Sequence, residues 1–551
     1  MIPLAERLAR PEVLALEPFD IAANNALAIP DAIRLDANEN PFSPLVEGPL
    51  AANVNRYPEP QPGKLKAALA ALYGVQPPNL VITRGADDAI DMLVRAYCRP
   101  GIDAVAICTP SFSAYAHFVR LQGARLIEVP LTADFDFDAD AFLATAKDAP
   151  NLKLAFICTP NNPTGNEVDP SLVLKVADAL PETIIVADEA YLDFSTTPSL
   201  AAEAIRSPNL VVLKTLSKAY GLAGARVGCA IGDPKVMEIA ARALPPYPMP
   251  SLSVDAALVA LSPSRRAVHE DRIERLKADR TRLADFLSRS PIVRRVHPSG
   301  GNFLFLEVDD AQALAAKLRA NGIRVRFRPN AAPGGVRVTI GTYAENETLL
   351  RAFGVAVDSP KSRRAEVVRD TKETEIAVAV DLDSAAPRKI DTGVPFYDHM
   401  LDQVAAHGGF SLVLDCNGDT EIDGHHSIED CAIALGTALS RALGNKRGIR
   451  RFGFTLPMDE AEAQVLIDLS GRPYCRFDGE FAATSIGEYP TQMTRHVFRS
   501  LADSMGAAIH VKVDGENDHH KTEACFKAFG RALRDAIRLE GEALPSTKGV
   551  L

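Results

Sequence analysis

The chain has 551 residues, 47% hydrophobic and 24% charged, with a formal net charge of −11. That length exceeds what one hydrophobic core supports, so at least two domains are expected. The acidic balance argues against nucleic-acid binding through a basic face, and no apolar run reaches the roughly 18 residues that cross a bilayer, so neither a nucleic acid nor a membrane is an expected partner. The amino-terminal MIPLAERLARPEVLALEPFD has no apolar centre of the kind a signal peptide needs. The eight cysteines form no CxxC pair and sit mostly in apolar stretches. A reduced, cytoplasmic compartment is expected.

The first region alternates short apolar runs with helix-length segments. The runs are DAVAIC (Asp103–Cys108), LKLAFIC (Leu152–Cys158), TIIVA (Thr183–Ala187) and LVVL (Leu210–Leu213). This pattern predicts an α/β fold with a parallel sheet. Polar motifs follow the runs, at strand carboxyl ends where open α/β sheets bind ligands. Gly85-Ala86-Asp87 precedes a helical pattern whose first N–H groups suit a phosphate. Phe112 is placed to stack on a ring, although a lone aromatic is more often core. Asn162 and Tyr191 offer donors to a phenolate oxygen, and Asp188 can keep a pyridine nitrogen protonated. Thr215, Ser217 and Arg226 surround Lys218, an amine able to form a Schiff base beside phosphate donors.

Together these motifs resemble a fold-type I pyridoxal-phosphate aminotransferase over residues 1–355. LDANENP (Leu35–Pro41), NRYPEP (Asn55–Pro60) and TLSKAYGLAGAR are similar to those of histidinol-phosphate aminotransferases. The resemblance implies a large three-layer α/β/α domain with a small α/β domain, and Lys218 as the Schiff-base lysine. It implies that Tyr57 reaches the cofactor phosphate of a second subunit, hence a dimer. It also implies that Arg337 and Arg326 bind the substrate's carboxylate or phosphate, and that glutamate is the amino donor. Aromatic aminotransferases and phosphothreonine decarboxylases share the Lys218 apparatus, so they stand as alternatives for this region.

The polar stretch at residues 356–363 reads as a linker to a region spanning 364–551. Of 11 histidines, eight fall from residue 399 onward. His425-His426-Ser427-Ile428-Glu429 returns as His519-His520-Lys521-Thr522-Glu523 at an offset of 94, and the same offset pairs Cys431 with Cys525, Gly436 with Gly530 and Ala442 with Ala536. A duplicated half-domain is expected, with halves of about 364–453 and 454–551. On a helix, residues four apart share a face, so His425 with Glu429 and His519 with Glu523 can each chelate an ion. His426 and His520 point away from them. Packing about a pseudo-two-fold would let each complete the other half's site, giving His426, His519 and Glu523 at one and His425, Glu429 and His520 at the other. His399 and His496 remain as further ligands. One HHxxE alone reads as readily as a helix start with surface histidines, whereas two at a constant offset favour a metal site. Imidazole and carboxylate ligands without thiolate suit manganese, iron or zinc.

TKET (Thr371–Thr374), FYDHMLDQ, HHSIED, KRGIRRFG, SGRP, DHHKTE and PSTKGVL resemble imidazoleglycerol-phosphate dehydratase over 364–551. The resemblance implies an internally duplicated α/β enzyme with two Mn2+ per site, assembled into a large homo-oligomer. It assigns His399, His426, His519 and Glu523 to one manganese and His425, Glu429, His496 and His520 to the other. Glu373 would handle a substrate proton, and Arg451, Arg472, Ser546 and Lys548 would hold the substrate phosphate. Both resemblances imply phosphorylated imidazole substrates. They imply one bifunctional histidine-biosynthesis enzyme, with the dehydratase making the ketone that the aminotransferase consumes. A metal-dependent phosphatase and a non-catalytic metal scaffold are the other readings of the second region.

Overall fold

Every apolar run singled out in the first region contributes a strand. Their residues are nearly all buried, including neighbours that point to opposite faces, so the sheet they build must be covered on both sides. The structure, a computed structural model, describes residues 58–356, 363–420, 423–453, 456–541 and 543–546, with the backbone of a short strand at Ile33–Arg34. Tyr57 and Lys548, and most of the expected linker, lie outside the described residues. The chain forms two compact units, the first containing Leu50–Ala260 and Ile273–Ser359, the second Leu261–Arg272 and Pro360–Leu551.

In the first unit the elements run α1 (Gly63–Tyr73), β1 (Leu80–Thr83), α2 (Ala86–Tyr97), β2 (Ala104–Thr109), α3 (Ser113–Gln122), β3 (Arg125–Pro130), α4 (Ala139–Lys147), β4 (Leu152–Cys158), α5 (Pro170–Ala179), β5 (Ile184–Asp188), β6 (Leu210–Thr215) and β7 (Gly228–Gly232). The seven strands form one sheet in the order β1-β7-β6-β5-β4-β2-β3. Only β7 runs against its neighbours β1 and β6. A second, antiparallel sheet is built from β8 (Val293–Val296), β9 (Phe303–Val308), β10 (Arg326–Phe327) and β11 (Gly335–Thr339), in the order β10-β11-β9-β8. This is the large and small α/β pair that the motifs implied.

The second unit repeats one pattern twice. β12 (Arg364–Asp370), β13 (Thr374–Asp381) and β14 (Arg388–Asp391) precede α6 (Pro395–Gly408), β15 (Ser411–Gly418) and α7 (His425–Leu443). After the short β16 (Phe452–Gly453) come β17 (Leu456–Met458), β18 (Ala461–Asp468), β19 (Tyr474–Asp478), α8 (Gln492–Met505), β20 (Ala508–Asp514) and α9 (Asp518–Ile537). In each half the long strand pairs antiparallel with the last strand (β13 with β15, β18 with β20), while the third strand (β14, β19) runs parallel to it. One apolar core joins both sheets and all four helices, with α7 packed on α8 and α6 on α9.

The repeated glycines now have a physical reason. A Cβ on Gly436 of α7 would overlap Ser504 Oγ of α8, and one on Gly530 of α9 would lie 2.7 Å from the backbone oxygen of Val404 in α6. Each glycine lets a helix pair close. The other face of β13 is also covered: Ala377 and Ala379, with Val368 and Val413, pack against Val268. The adjoining Arg265 is 1% exposed, donates to the Ile376 carbonyl at 2.8 Å and pairs with Asp370. Among the described residues, no helix is long and apolar enough to cross a membrane.

Candidate active sites

Three strands of the large sheet end at the first site: β4 at Cys158, β5 at Asp188 and β6 at Thr215. Asp188 is 2% exposed. Its Oδ2 accepts the Tyr115 hydroxyl at 2.5 Å and its Oδ1 accepts the Ala190 N–H at 3.1 Å. Burial pushes its carboxyl up to about 6, against the hydrogen bonds from Tyr115 and Ala190. Asn162 Nδ2 donates to Tyr191 Oη at 3.3 Å, and the Lys218 ammonium lies 5.7 Å from the centroid of the Tyr191 ring. Phe112 caps α3 and meets the Tyr115 ring edge-on at 5.6 Å.

A cup of donors lies nearby. Gly85 starts α2 with φ +83°, and a Cβ there would sit 2.6 Å from Arg226 Nη2. Arg226 donates from Nη1 to Ser217 Oγ and from Nη2 to Asp87, both at 3.3 Å, while Thr215 Oγ1 donates to Ser217 Oγ at 2.9 Å. The α2 amino terminus, Ser217 and Arg226 thus form a cluster suited to a phosphate dianion. Arg337 is 5% exposed, donates to Asn162 Oδ1, and stands opposite Arg326 across the β10–β11 pair. Directly opposed residues share a sheet face, so both guanidinium groups rise from one side.

The second unit carries two triads, each drawn from both halves. His496 Nε2 of α8 lies 2.9 Å from Glu429 Oε1, and His425 Nε2 of α7 lies 3.4 Å from Glu429 Oε2. His399 Nε2 of α6 is 3.7 Å from Glu523 Oε1, and His519 Nε2 of α9 is 3.6 Å from Glu523 Oε2. Burial works to raise the Glu523 carboxyl, but Lys527 at 2.8 Å and the two histidines outweigh it and hold the group below the usual range. His496 Nε2 is buried and makes no aligned hydrogen bond, although it lies so close to Glu429. That is the geometry of two lone-pair donors converging on one point, and the His425–Glu429–His496 set, its ligand atoms all within 4.8 Å of one another, fits a divalent cation. The His399–Glu523–His519 set is more open, with Lys527 on Glu523 Oε1.

The pairing therefore differs from the exchange of His426 and His520 expected within one chain. His399 and His496 cross between the halves instead, because α6 packs on α9 and α8 on α7. His426 turns its Nδ1 to Asp419 at 3.0 Å and its Nε2 to Glu373 at 3.9 Å. His520 turns its Nδ1 to Glu460 at 2.9 Å. These carboxylates raise the pKa of both imidazoles and leave each Nε2 as the outward ligand atom. Glu373 sits in the hairpin turn between β12 and β13, on a cavity of about 600 Å³ that Asp419 also lines. Arg451 is clamped by Asp468 at 2.5 and 3.0 Å and donates to the Pro545 carbonyl at 2.9 Å. Arg472 is exposed, and Ser546 donates its N–H to the Leu544 carbonyl at 2.8 Å.

Asp419, Glu460 and Tyr115 were not singled out in the sequence. Glu460 had a signal: it occupies the β17–β18 turn, the second-half counterpart of the turn that carries Glu373. Both HH pairs are also capped alike, by Asp423 accepting the His425 N–H at 2.7 Å and Asn517 accepting the His519 N–H at 2.9 Å. Tyr115 had none, since a tyrosine one turn into a helix reads as core.

Residues 30–353 match the family Aminotransferase class I and II, and residues 392–533 match Imidazoleglycerol-phosphate dehydratase. The chain is 42% identical over 353 residues to a histidinol-phosphate aminotransferase of Stenotrophomonas maltophilia (strain R551-3), which covers 63% of this chain and 95% of that relative. It is 57% identical over 189 residues to the histidine biosynthesis bifunctional protein HisB of Actinobacillus pleuropneumoniae serotype 3 (strain JL03), over 34% of this chain and 52% of that relative. The chain thus spans about half the length of that bifunctional relative. Among solved structures, the histidinol-phosphate aminotransferase from Sinorhizobium meliloti in complex with pyridoxal-5'-phosphate is similar, with a TM-score of 0.56 at 26% identity, covering 63% of this chain and 96% of that one.

Proposed function

Because the chain belongs to the class I and II aminotransferases, and within them to the histidinol-phosphate aminotransferases, we propose that it is a bifunctional enzyme of histidine biosynthesis. Its second unit dehydrates imidazole glycerol phosphate to imidazole acetol phosphate, and its first transaminates that ketone with glutamate to histidinol phosphate. The domains are 1–355 and 364–551, and the compartment is a reducing cytoplasm, in keeping with eight free cysteines. The observation that carries the reading is the pair of crosswise His–Glu–His triads in a chain that also holds the Asp188–Lys218–Arg226 site.

In the dehydratase site the triads would hold two manganese ions. The resemblance to the dehydratases adds His426 to the His399–His519–Glu523 set and His520 to the His425–Glu429–His496 set, and a large homo-oligomer is part of the same reading. Bound manganese would draw electron density from the substrate imidazole and ease loss of its proton. Glu373 then takes or returns a proton on the substrate side chain as the hydroxyl leaves, while Arg451, Arg472, Ser546 and Lys548 hold the phosphate. Asp419 and Glu460 fix the rings of His426 and His520.

In the aminotransferase site pyridoxal phosphate would serve as the electron sink for proton loss at the substrate carbon. Gly85, Ala86 and Asp87 at the start of α2, with Thr215, Ser217, Arg226 and the second subunit's tyrosine equivalent to Tyr57, bind its phosphate. Phe112 packs on its ring, Asn162 and Tyr191 donate to its phenolate oxygen, and Asp188 holds the proton on its ring nitrogen. Lys218 anchors the cofactor and moves the proton during transfer. Arg326 and Arg337 take the anionic groups of the substrates.

The test of the dehydratase half is product analysis with Glu373→Gln. The variant retains manganese and loses about 100-fold or more in kcat, the usual scale for a positioned acid–base group. Near-normal turnover sinks the role of Glu373, and release of inorganic phosphate in place of a phosphorylated ketone sinks the dehydratase reading.

A further inference from the structure

We propose that Tyr115 is a positioning residue of the aminotransferase site, whose hydroxyl keeps Asp188 ionised for its pairing with the protonated ring nitrogen of the cofactor. The inference rests on the cofactor reading above and adds a residue to it.

The geometry is closely constrained. Tyr115 is fully buried in the first turn of α3, and its ring stacks on Phe156 of β4 at 4.9 Å and 13°. Phe112 abuts it edge-on at 5.6 Å and 90°. Two aromatic contacts at different angles leave the phenol no second position, so its hydroxyl is aimed at Asp188. The O–H···O separation of 2.5 Å falls in the range of a hydrogen bond to an ionised acceptor. Tyr115 and the Ala190 N–H occupy one site on each carboxylate oxygen. Each oxygen keeps acceptor capacity for a ligand.

The other groups around Asp188 work against its charge. Burial is the largest, and the carboxylates of Asp87 at the start of α2 and Glu189 beyond β5 add repulsion. The Cys158 thiol of β4 lies against the Tyr115 hydroxyl and is itself pushed above its usual range by burial, so it stays neutral and neither adds to this repulsion nor offsets it. Tyr115 and Ala190 are the donors that offset these costs. Removing the hydroxyl leaves the carboxylate buried with one donor fewer, which raises the cost of its ionised form. A neutral Asp188 no longer complements a pyridinium.

The experiment uses the full-length chain, freed of cofactor, and two probes: pyridoxal phosphate and its 1-deaza analogue, in which carbon replaces the ring nitrogen. In Tyr115→Phe, pyridoxal phosphate binds about tenfold more weakly, the loss of one charge-assisted hydrogen bond, while affinity for the analogue is unchanged. The acid limb of pyridoxal phosphate binding moves to higher pH, and in an Asp188→Asn background Tyr115→Phe has no further effect. Equal weakening of both probes assigns Tyr115 to packing alone and overturns the proposal, as does unchanged binding of both. If the phenylalanine variant does not fold, 3-fluorotyrosine at position 115 keeps the hydroxyl and strengthens it as a donor. The acid limb then moves to lower pH, and an unmoved limb overturns the proposal. Failure of the unaltered chain to take up pyridoxal phosphate is a separate result that removes the cofactor reading itself.

Discussion

His496 Nε2 lies 2.9 Å from Glu429 Oε1, joining a helix of the second repeat to a chelate begun in the first. His399 repeats the relation in the other direction, at 3.7 Å from Glu523. The duplication therefore does more than supply two copies of a motif: neither half holds a complete triad. Removing His496 should empty one site and spare the other. We expect His496→Ala to bind about half the divalent metal of the unaltered chain, since losing one of few protein ligands cripples a site. Metal analysis of the purified variant checks this, and full stoichiometry would show that Glu429 and His425 suffice.

Lys218→Ala separates the two chemistries. The variant should lose the absorbance of the lysine-bound cofactor near 400 nm (an approximate property of the cofactor) together with transamination. Its dehydratase rate should stay within about twofold of normal, as for sites that share no partners. Spectra and single-step assays read both effects, and a surviving coloured species would contradict the role of Lys218.

Asp188 makes the cofactor-free chain sensitive to pH. Its folded-state pKa, about 6, stands above the usual value of about 3.9 for an aspartate in water because of burial, so the folded state holds the extra proton. The associated stability is fully present below about pH 4 and is lost as pH rises through about 6, a change of roughly 3 kcal/mol at most. Asp188→Asn cannot titrate, so its stability relative to the unaltered chain should climb across that window and level off above it. Denaturant midpoints of the two cofactor-free proteins from pH 4 to 8 measure the difference, and a flat difference would show that Asp188 is not strained by burial.

The helix contacts of the second unit predict unequal effects for the two repeated glycines. Gly530→Ala drives a methyl to 2.7 Å from the Val404 carbonyl oxygen, which is backbone and cannot turn aside. A loss of about 1–3 kcal/mol is expected. Gly436→Ala meets the Ser504 hydroxyl, and Ser504→Ala should recover most of its smaller loss. Chemical denaturation of the four variants decides the order.

Much of this was legible in the sequence because its signals are local. Buried strands read as apolar runs, and the i, i+4 spacing puts His425 with Glu429 and His519 with Glu523 on shared faces. The partners of those pairs were not legible, since helical periodicity gives a residue's face but not which helix lies opposite. The packing of α8 on α7 and α6 on α9 brings in His496 and His399, and leaves His426 and His520 with Asp419 and Glu460. Tyr115 was hidden for a similar reason: its value lies in a hydroxyl that reaches Asp188 across the sheet's end, 73 positions along the chain.

The most direct test of the central claim supplies the full-length chain with imidazole glycerol phosphate, glutamate, manganese and pyridoxal phosphate, and follows the products by mass spectrometry. The account predicts histidinol phosphate and 2-oxoglutarate in equal amounts, with imidazole acetol phosphate accumulating when glutamate is withheld. Unchanged imidazole glycerol phosphate, or its loss with release of inorganic phosphate, would contradict it.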